Sequence, residues 1–377
     1  MKRVGIVYDT TIAGRGGHDT HYAFKGLPDV EIAALADSNT RNLAERMAKM
    51  EAKRHYATWQ EMLEQEQLDI IDVCSRLPGD HFDVICTALR RGISVFCEKP
   101  LVSTLEEADE IVRFARENNC RVCVAHLARY ALVFRTMKAL IQQGKIGRPL
   151  TFYGRGKEDG RGGGEDLLVL GTHILDVGCF LFGHPTSVYA EVTQNGAPLA
   201  RTDRMETTEP LGIVAGTDLF STFAFPNGVR GVFESRRGLY KGTVRMGVTV
   251  AGTEGCLSMR YDNCRDLRFT PSPYPPEDEA HYEAIPLTET HEIPNAAPLD
   301  FSLVPNGDGV HRYFIVNNRF AAYDLLQAMD EGREPVASAA EATVTMELIN
   351  GMYESEFRRE RIFLPLTDRS SPFRQEG

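Results

Sequence analysis

The chain has 377 residues, of which 42% are hydrophobic and 25% charged, as in a folded protein with two domains or one large domain. Its formal net charge of −11 opposes binding to nucleic acid or to an anionic membrane, because both need a basic face. We see neither an apolar run near the ~20 residues of a transmembrane helix nor a signal peptide, so we expect a cytoplasmic protein. Eight cysteines are too few for a disulfide scaffold of this length.

The N-terminal third alternates short runs rich in Val and Ile with helical patterns. Such nearly continuous apolar runs predict parallel strands that are buried on both faces. They are Arg3–Tyr8, Val30–Ala36, Asp69–Ser75, Ile93–Cys97 and Arg121–Ala125. Between them, 80–91 has helical periodicity, and Thr104 with Glu107 forms a capping-box pattern. The alternation predicts a doubly wound α/β sheet, a Rossmann dinucleotide-binding domain.

The pattern changes after residue 150, where apolar and polar residues alternate with a period of two. This alternation predicts an open, mainly antiparallel sheet. The segments lie near 149–154, 187–194, 217–225, 229–236, 244–251 and 256–261. Residues 271–305 predict a long irregular excursion, because they contain eight of the 19 prolines. Helices are predicted near 312–331 and 338–358, before a strand at Arg361–Leu366.

The loop after the first predicted strand is rich in glycine. In Asp9–Thr20, Gly14 and Gly17 occupy the last two glycine positions of a G-x-G-x-x-G pattern, whereas Ile12 stands at the first. Glycines there let backbone N–H groups approach a pyrophosphate at a helix N-terminus. A glycine-rich surface turn is the alternative interpretation of this interrupted motif.

Asp37 ends the second predicted strand, 20 residues after Gly17. A carboxylate in this place accepts hydrogen bonds from the ribose hydroxyls of a dinucleotide and repels a 2′-phosphate, so the sequence favours NAD over NADP. Arg41 is close enough to leave NADP open. A helix N-cap is the structural alternative for Asp37.

A lysine follows the fourth predicted strand directly, in Cys97-Glu98-Lys99-Pro100. At this edge of the sheet, a lysine can donate a hydrogen bond to a substrate alcohol or carbonyl oxygen. A salt bridge in a solvated loop is the alternative. The other residues that we expect to contribute to the cofactor site at this edge are Ser75, Pro78, His81 and Glu98.

Three motifs, in this order and spacing, have a familiar arrangement. They are Glu98-Lys99-Pro100, Gly144-Lys145-Ile146-Gly147, and Gly162-Gly163-Gly164 followed by Gly171-Thr172-His173-Ile174-Leu175-Asp176. Together they resemble the Gfo/Idh/MocA oxidoreductases, the family of glucose–fructose oxidoreductase and inositol dehydrogenase, over nearly the whole chain. The resemblance implies a nicotinamide cofactor, a sugar, polyol or related substrate, and assembly through the exposed face of the sheet.

The resemblance also implies roles for individual residues. Lys99 is similar to the active-site lysine of the family, His173 to its catalytic histidine, and Arg129 to an arginine that follows the linker strand. Arg155 and Lys157, in the loop that leads to the histidine helix, are further candidates for substrate contact, with a solvated loop as the alternative.

The chain departs from the family at the acid that many members place four residues before the histidine, since Val169 stands there. On a helix, Asp176 lies three residues after His173 on nearly the same face and is the expected partner of the ring. Asp166 lies seven residues before His173, about 10.5 Å away along a regular helix axis, and is a candidate for substrate contact.

These observations predict a Rossmann NAD-binding domain over 1–127 and a substrate-binding and oligomerisation domain over 128–377. We expect an NAD-dependent oxidoreductase that acts on a sugar or polyol as a homodimer or homotetramer, with no metal. One alternative is an NAD-dependent glycosidase that works by transient oxidation, elimination and reduction. The other is a protein that binds NAD and a sugar without turnover.

Overall fold

The computed structural model describes residues 1–12, 16–205, 207–208, 211, 213–240, 246–261, 266–275, 281–287, 292–299, 301 and 309–374. By their contacts, Met1–Tyr130 and His291–Thr343 form one compact unit, and Ala131–Thr290 and Val344–Gly377 form another. The first unit therefore includes a late segment of the chain. Because this division follows packing and not ancestry, the domain boundary predicted between residues 127 and 128 stays a prediction.

The strands of the described residues follow the predicted pattern closely. In the first unit they are β1 (Lys2–Val7), β2 (Val30–Ala36), β3 (Arg54–Tyr56), β4 (Ile70–Val73), β5 (Ser94–Cys97) and β6 (Val122–Val124). In the second they are β7 (Pro149–Arg155), β8 (Ser187–Gln194), β9 (Ala197–Pro198), β10 (Asp218–Ala224), β11 (Arg230–Arg236), β12 (Gly247–Gly252), β13 (Cys256–Arg260), β14 (Leu267–Thr270), β15 (Glu283–Ile285) and β16 (Ile362–Phe363).

The helices of the described residues include two long ones near the C-terminus, as predicted. They are α1 (Leu43–Met50), α2 (Trp59–Gln65), α3 (His81–Arg90), α4 (Leu105–Glu117), α5 (Leu132–Gln142), α6 (Gly164–Asp166), α7 (Thr172–Phe182), α8 (Gly309–Glu331) and α9 (Ala339–Arg358). The capping box is present at α4, where the Thr104 side chain accepts from the Glu107 N–H and the Glu107 carboxylate accepts from the Thr104 N–H, both at 3.2 Å. No helix of the described residues is long and apolar enough to cross a membrane.

The first sheet is parallel throughout its described strands, in the order β3-β2-β1-β4-β5-β6. The strand order reverses between β1 and β4, and such a switch point opens a crevice at the carboxyl ends of the strands. Helix α8 packs against this sheet, because its Ile315 and Leu325 join Ile6 and Phe96 in one buried core. The polar strand β3 is absent from the prediction because Arg54–Tyr56 has no apolar run.

The second sheet is mixed but mainly antiparallel, in the order β15-β14-β13-β12-β7-β11-β10-β8-β16, with β9 paired to β8. Only β7 and β11 run parallel among its described strand pairs. Two strands in this region were not predicted from the sequence: β14 lies just before the predicted excursion, and β15 lies within it. Much of the rest of 271–305 lies outside the described residues.

Candidate active site

The glycine loop lies at the carboxyl end of β1, next to the switch point. Gly14 lies outside the described residues. A Cβ atom on Gly16 would lie 2.1 Å from the ring of Tyr8, and one on Gly17 would lie 2.8 Å from Cδ of Arg76. Gly16 also forms a bridge with Ser75, beyond the end of β4. Gly16 therefore leaves no room for a side chain beside the Tyr8 ring, whereas at Gly17 the clash is only with the flexible side chain of Arg76.

His81 joins two of the loops at the edge. Its fully buried ring places Nε2 2.5 Å from the carbonyl oxygen of Ser75 and Nδ1 2.8 Å from that of Leu101. The Ser75 hydroxyl donates to Asp80 at 2.6 Å, and Pro78 begins the turn that leads into α3. Since the ring is buried, His81 supports the loops, and any cofactor contact by it stays a prediction.

Glu98 and Lys99 follow β5 and are both buried, with Lys99 only 2% exposed. The Glu98 carboxylate lies 2.9 Å from Nδ1 of His18, in the glycine loop, and accepts the backbone N–H of Lys99 at 2.9 Å. Burial alone would raise the pKa of Glu98, but the charges of His18 and Lys99 and these hydrogen bonds hold it below its ordinary value. Glu98 is therefore a carboxylate near neutral pH.

The pairing of His18 with Glu98 was not predicted from the sequence. The signal available was a histidine directly after the glycines, but its partner lies 80 residues further along the chain. His18 has a left-handed backbone, with φ of 51°, and its carbonyl oxygen accepts from Asn318 of α8 at 2.5 Å. The late helix thus helps to position the glycine loop.

Asp37 lies at the end of β2, as predicted, with a fully buried carboxylate. That carboxylate already accepts hydrogen bonds from Thr10, Asn39 and Arg46. Asp37 is not an N-cap in this structure, because α1 begins at Leu43 after Asn42. Its contact with ribose stays a prediction.

Arg129 is buried and held by its own unit. Its guanidinium donates to the carbonyl oxygen of Val336 at 2.9 Å and forms an ion pair with Glu341 at 3.0 Å. Both partners belong to the late segment of the first unit. These contacts give Arg129 a structural role, and its substrate contact stays a prediction.

The histidine helix of the second unit begins with close backbone packing. A Cβ atom on Gly163, which has φ of 85°, would lie 2.5 Å from the carbonyl oxygen of Gly216, and one on Gly164 would lie 2.0 Å from that of Ala215. The last two glycines of the motif are thus explained by contact with the segment that leads into β10, whereas a Cβ atom on Gly162 would lie 2.2 Å from the carbonyl oxygen of Arg236, at the end of β11.

The helix is irregular before the histidine, which corrects the regular helix assumed from the sequence. Leu167–Gly171 form a π-turn between α6 and α7, a feature that is frequent at functional sites. Since the turn changes the helical spacing, the 10.5 Å estimate for Asp166 does not apply. His173 and Asp176 both lie in regular α7, where residues three apart are neighbours. Asp176 is fully buried and accepts from Thr345 of α9 at 3.5 Å.

Asp166 is held against the sheet. Its Oδ2 accepts the hydroxyl of Ser235 on β11 and the backbone N–H of Glu158, whereas Oδ1 is buried without a hydrogen-bond partner. Burial raises the pKa of Asp166 to about 6, although these hydrogen bonds lower it. Asp166 therefore has one unused acceptor oxygen, and its pKa lies close to neutral pH.

The two predicted basic residues of the loop before the helix are paired with acids. Arg155 bonds to Glu158 at 2.7 Å and to Glu234 at 2.9 Å, and Lys157 lies 3.3 Å from Asp159. Glu158 is fully buried, and its Oε1 has no hydrogen-bond partner. In the part of the chain that the structure describes, no group of three or more His, Cys, Asp and Glu side chains is arranged to hold a metal ion.

The geometry of the first unit fits a dinucleotide at the switch point. The glycine loop has no room for a side chain at Gly16, and it lies at the carboxyl ends of β1 and β4. In folds of this kind, backbone N–H groups in this place bind the pyrophosphate of a dinucleotide. Asp37 is in the expected place for the ribose, but its acceptors are occupied. A parallel sheet with this crevice, followed along the chain by a mixed sheet, defines the class of two-part proteins with a Rossmann dinucleotide-binding domain.

Comparison with known proteins identifies the family. Residues 10–126 match the model of an oxidoreductase family with an NAD-binding Rossmann fold, and 134–258 match the GFO/IDH/MocA C-terminal domain. The chain belongs to this Gfo/Idh/MocA family, which confirms the resemblance, the fold class and NAD as the cofactor.

The individual relatives are distant. D-apiose dehydrogenase of Paraburkholderia graminis is 27% identical over 194 residues, which cover 48% of this chain and 51% of that protein. Myo-inositol 2-dehydrogenase of Thermotoga maritima is 24% identical, over 70% of this chain and 76% of that protein. A solved structure of levoglucosan dehydrogenase with NADH and L-sorbose has a TM-score of 0.74 at 19% identity, over 97% of this chain and 99% of that one. The chain thus spans about half the length of the first of these relatives, and the likeness to the solved structure shows the fold alone.

Proposed function

We propose that the protein transfers hydride reversibly between NAD and a carbinol carbon of a sugar, a polyol or a sugar derivative. The observation that carries this proposal is the buried Lys99 at the carboxyl end of β5, beside the carboxylate of Glu98. A lysine is almost never fully buried unless it is paired. The family membership and the sugar-related names of the relatives support the substrate class.

The cofactor would lie along the edge formed by Gly16, Gly17 and Ser75. When bound, NAD supplies a hydride acceptor, and NADH the hydride donor of the reverse reaction. The chain's own groups then bind, orient and move protons. Glu98, held by His18, keeps a negative charge next to Lys99.

Lys99 is proposed to donate a hydrogen bond to the reacting oxygen of the substrate. In oxidation this stabilises the developing alkoxide, and in reduction it polarises the ketone. Such preorganised charge is usually the largest contribution to catalysis. His173 is proposed as the general base that accepts the hydroxyl proton, with Asp176 as the residue that orients its ring.

The substrate hydroxyls are proposed to meet the polar cluster before α7. Asp166 and Glu158 each have a buried carboxylate oxygen with no hydrogen-bond partner, and such oxygens accept from hydroxyl groups. Arg155 and Lys157 are proposed to donate to the substrate after exchanging their present acidic partners. Arg129, held by Val336 and Glu341, is proposed to contribute from the linker.

A homodimer or homotetramer in the cytoplasm is also proposed. The exposed side of the second sheet carries aromatic residues that a partner subunit would cover. The seven cysteines of the described residues are buried and form no disulfide with one another, which supports a reducing compartment.

The proposal is tested by a screen of sugars, polyols and glycosides with NAD⁺, in which NADH absorbance and released aglycone are followed together. NADH formed in step with an oxidised product is the expected result. Release of aglycone with only catalytic NAD and no net NADH would instead identify the oxidoreductive glycosidase. Binding of NAD and of a sugar by calorimetry, with neither product formed, would contradict enzymatic activity and identify a sensing protein.

A further inference from the structure

The Asp37 carboxylate has no unused acceptor site for ribose hydroxyls. Its Oδ1 accepts the backbone N–H groups of Thr10 at 3.0 Å and Asn39 at 2.9 Å. Its Oδ2 accepts the Thr10 hydroxyl at 2.8 Å and Nε of Arg46 at 3.0 Å, and Nη2 of Arg46 lies 2.9 Å away in an ion pair. Since a carboxylate offers about four lone-pair sites, these donors fill them.

Arg46 is held in this place by more than the carboxylate. From the middle of α1, its guanidinium also donates to the backbone carbonyl oxygens of Asn39 and Arg41. Its side chain is 18% exposed, and that of Asp37 is fully buried. The pair is thus shielded from solvent. In such a place, the attraction between opposite charges is stronger than it is in water.

This pairing changes the electrostatics expected from the sequence. An isolated carboxylate at the end of β2 repels a 2′-phosphate, but Asp37 is neutralised by a cation about 3 Å away. The same guanidinium is a suitable donor for a phosphate, because its planar fork matches phosphate oxygens. The charge at this end of the cofactor site therefore depends on a residue that lies nine positions after Asp37.

We propose that Arg46 is a specificity-determining residue, which limits the discrimination between NAD and NADP by neutralising Asp37. The inference rests on the NAD binding that the proposed function requires. NAD binding exchanges Arg46 or Thr10 for the ribose hydroxyls at Asp37. NADP binding directs the guanidinium of Arg46 from the carboxylate to the 2′-phosphate.

The test is calorimetric titration of the full chain with NAD⁺ and with NADP⁺, without any substrate. In Arg46→Gln, the ratio of the NADP Kd to the NAD Kd should rise about tenfold or more, since one charge-assisted contact to phosphate is lost and a carboxylate is exposed to it. In Asp37→Asn, the ratio should fall, because the repelling charge is removed.

Arg41→Gln tests the rival assignment, because it removes the same charge from an exposed residue of the same segment. It should leave the ratio unchanged. A ratio that changes in Arg41→Gln and not in Arg46→Gln would overturn the proposal and assign the selectivity to Arg41. Equal ratios in the wild type and both variants would overturn it as well.

Arg46→Lys covers the case in which Arg46→Gln does not fold, as judged by its melting temperature. Lysine retains the charge without the planar fork, so the ratio should stay near that of the wild type if neutralisation of Asp37 is the cause. A tenfold rise in Arg46→Lys would contradict neutralisation. Failure of the folded wild type to bind either nucleotide would instead refute the proposed function, whereas binding with an unchanged ratio refutes this inference alone.

Discussion

At the scale of single residues, the first unit buries two acidic side chains in different surroundings, Asp72 on β4 and Glu98 directly after the neighbouring β5. Glu98 is compensated by His18 and by the backbone of Lys99. Asp72, in the middle of β4, is different: it is fully buried, and neither of its carboxyl oxygens has a hydrogen-bond partner. Burial, together with the charge of Glu98, raises the pKa of Asp72 well above its ordinary value. Burial thus raises the pKa of Asp72, whereas charged neighbours lower that of Glu98 beyond the end of the adjacent strand.

Asp72 should make the stability of the protein depend on pH. Below about pH 4, Asp72 is protonated in both the folded and the unfolded state, so it does not change the free energy of unfolding with pH. As the pH rises, the unfolded state loses this proton while the folded state keeps it, and the free energy of unfolding falls by about 1.4 kcal/mol per pH unit until the raised pKa is reached. Asp72→Asn should remove this fall, as measured by denaturant unfolding from pH 4 to 8.

Asp83→Asn is the control for this experiment, because Asp83 lies on the exposed side of α3. It should keep the wild-type dependence on pH. An Asp72→Asn protein whose unfolding free energy falls with pH as steeply as that of the wild type would mean that Asp72 ionises at an ordinary pKa.

The catalytic assignments are also tested at single residues. Lys99→Ala and His173→Ala should each lower kcat by roughly 10²-fold on a confirmed substrate, the scale expected for an electrostatic stabiliser or a general base. The affinity for NAD should change little, because neither side chain belongs to the glycine loop or to the Asp37 segment. Turnover and calorimetry on the same preparations check both statements.

Lys53→Ala, which removes an exposed lysine of the same unit, should be neutral in the turnover assay. Melting temperatures of all variants separate lost chemistry from lost folding. Wild-type turnover in both Lys99→Ala and His173→Ala would place the chemistry at other residues.

At the scale of secondary-structure elements, the segment 164–182 decides which acid can act with His173. The π-turn separates Asp166 from the regular helix that contains His173 and Asp176. Asp166 is bonded to Ser235 of β11, so it is anchored to the sheet. The helix geometry thus favours Asp176 as the partner of the histidine and leaves Asp166 for the substrate.

Asp176→Asn should therefore reproduce much of the loss of kcat seen in His173→Ala, with a KM near that of the wild type. Asp166→Asn should mainly raise KM, because it weakens an acceptor of substrate hydroxyls. Steady-state kinetics on one confirmed substrate separates the two. A silent Asp176→Asn beside a severe His173→Ala would show that the histidine works without this acid.

At the scale of the whole molecule, four strands of the second sheet, β7, β8, β10 and β11, have one buried face and one more exposed face. The register places Tyr189, Thr222, Val232 and Tyr153 side by side on β8, β10, β11 and β7, with Phe220 two residues from Thr222 on the same face. The exposed fractions are 37% for Tyr189, 41% for Tyr153 and 45% for Phe220. A contiguous patch of this kind is typical of protein–protein interfaces.

This face should be the subunit interface, and sedimentation at micromolar concentration should show a dimer or a tetramer. Phe220→Glu, which places a charge in the patch, should shift the protein toward monomer. Leu239→Lys, at an exposed apolar residue outside the strands, should leave the assembly unchanged. A wild-type protein that sediments as a monomer would refute the assignment of this face.

The division of the chain was only partly visible in the sequence. Continuous apolar runs indicated five strands of the first sheet, and alternation indicated most of the second, because periodicity records how many faces of a strand are buried. The return of 291–343 to the first unit was not visible, because α8 reads as an amphipathic helix whatever surface it covers. The π-turn was missed because its residues, Leu167–Gly171, have an ordinary helical composition.

The sequence by itself determined the class of sheet, the glycine loop, and the positions of Lys99 and Asp37 at the ends of their strands, since these are properties of short segments. Only the tertiary structure decided which charges meet. It paired Glu98 with His18, 80 residues apart in the sequence, and it occupied the acceptor sites of the Asp37 carboxylate with hydrogen bonds from Thr10 and Arg46. The physical reason is that burial patterns are local, whereas the partner of a buried charge is set by how loops from distant strands converge at one edge of the sheet.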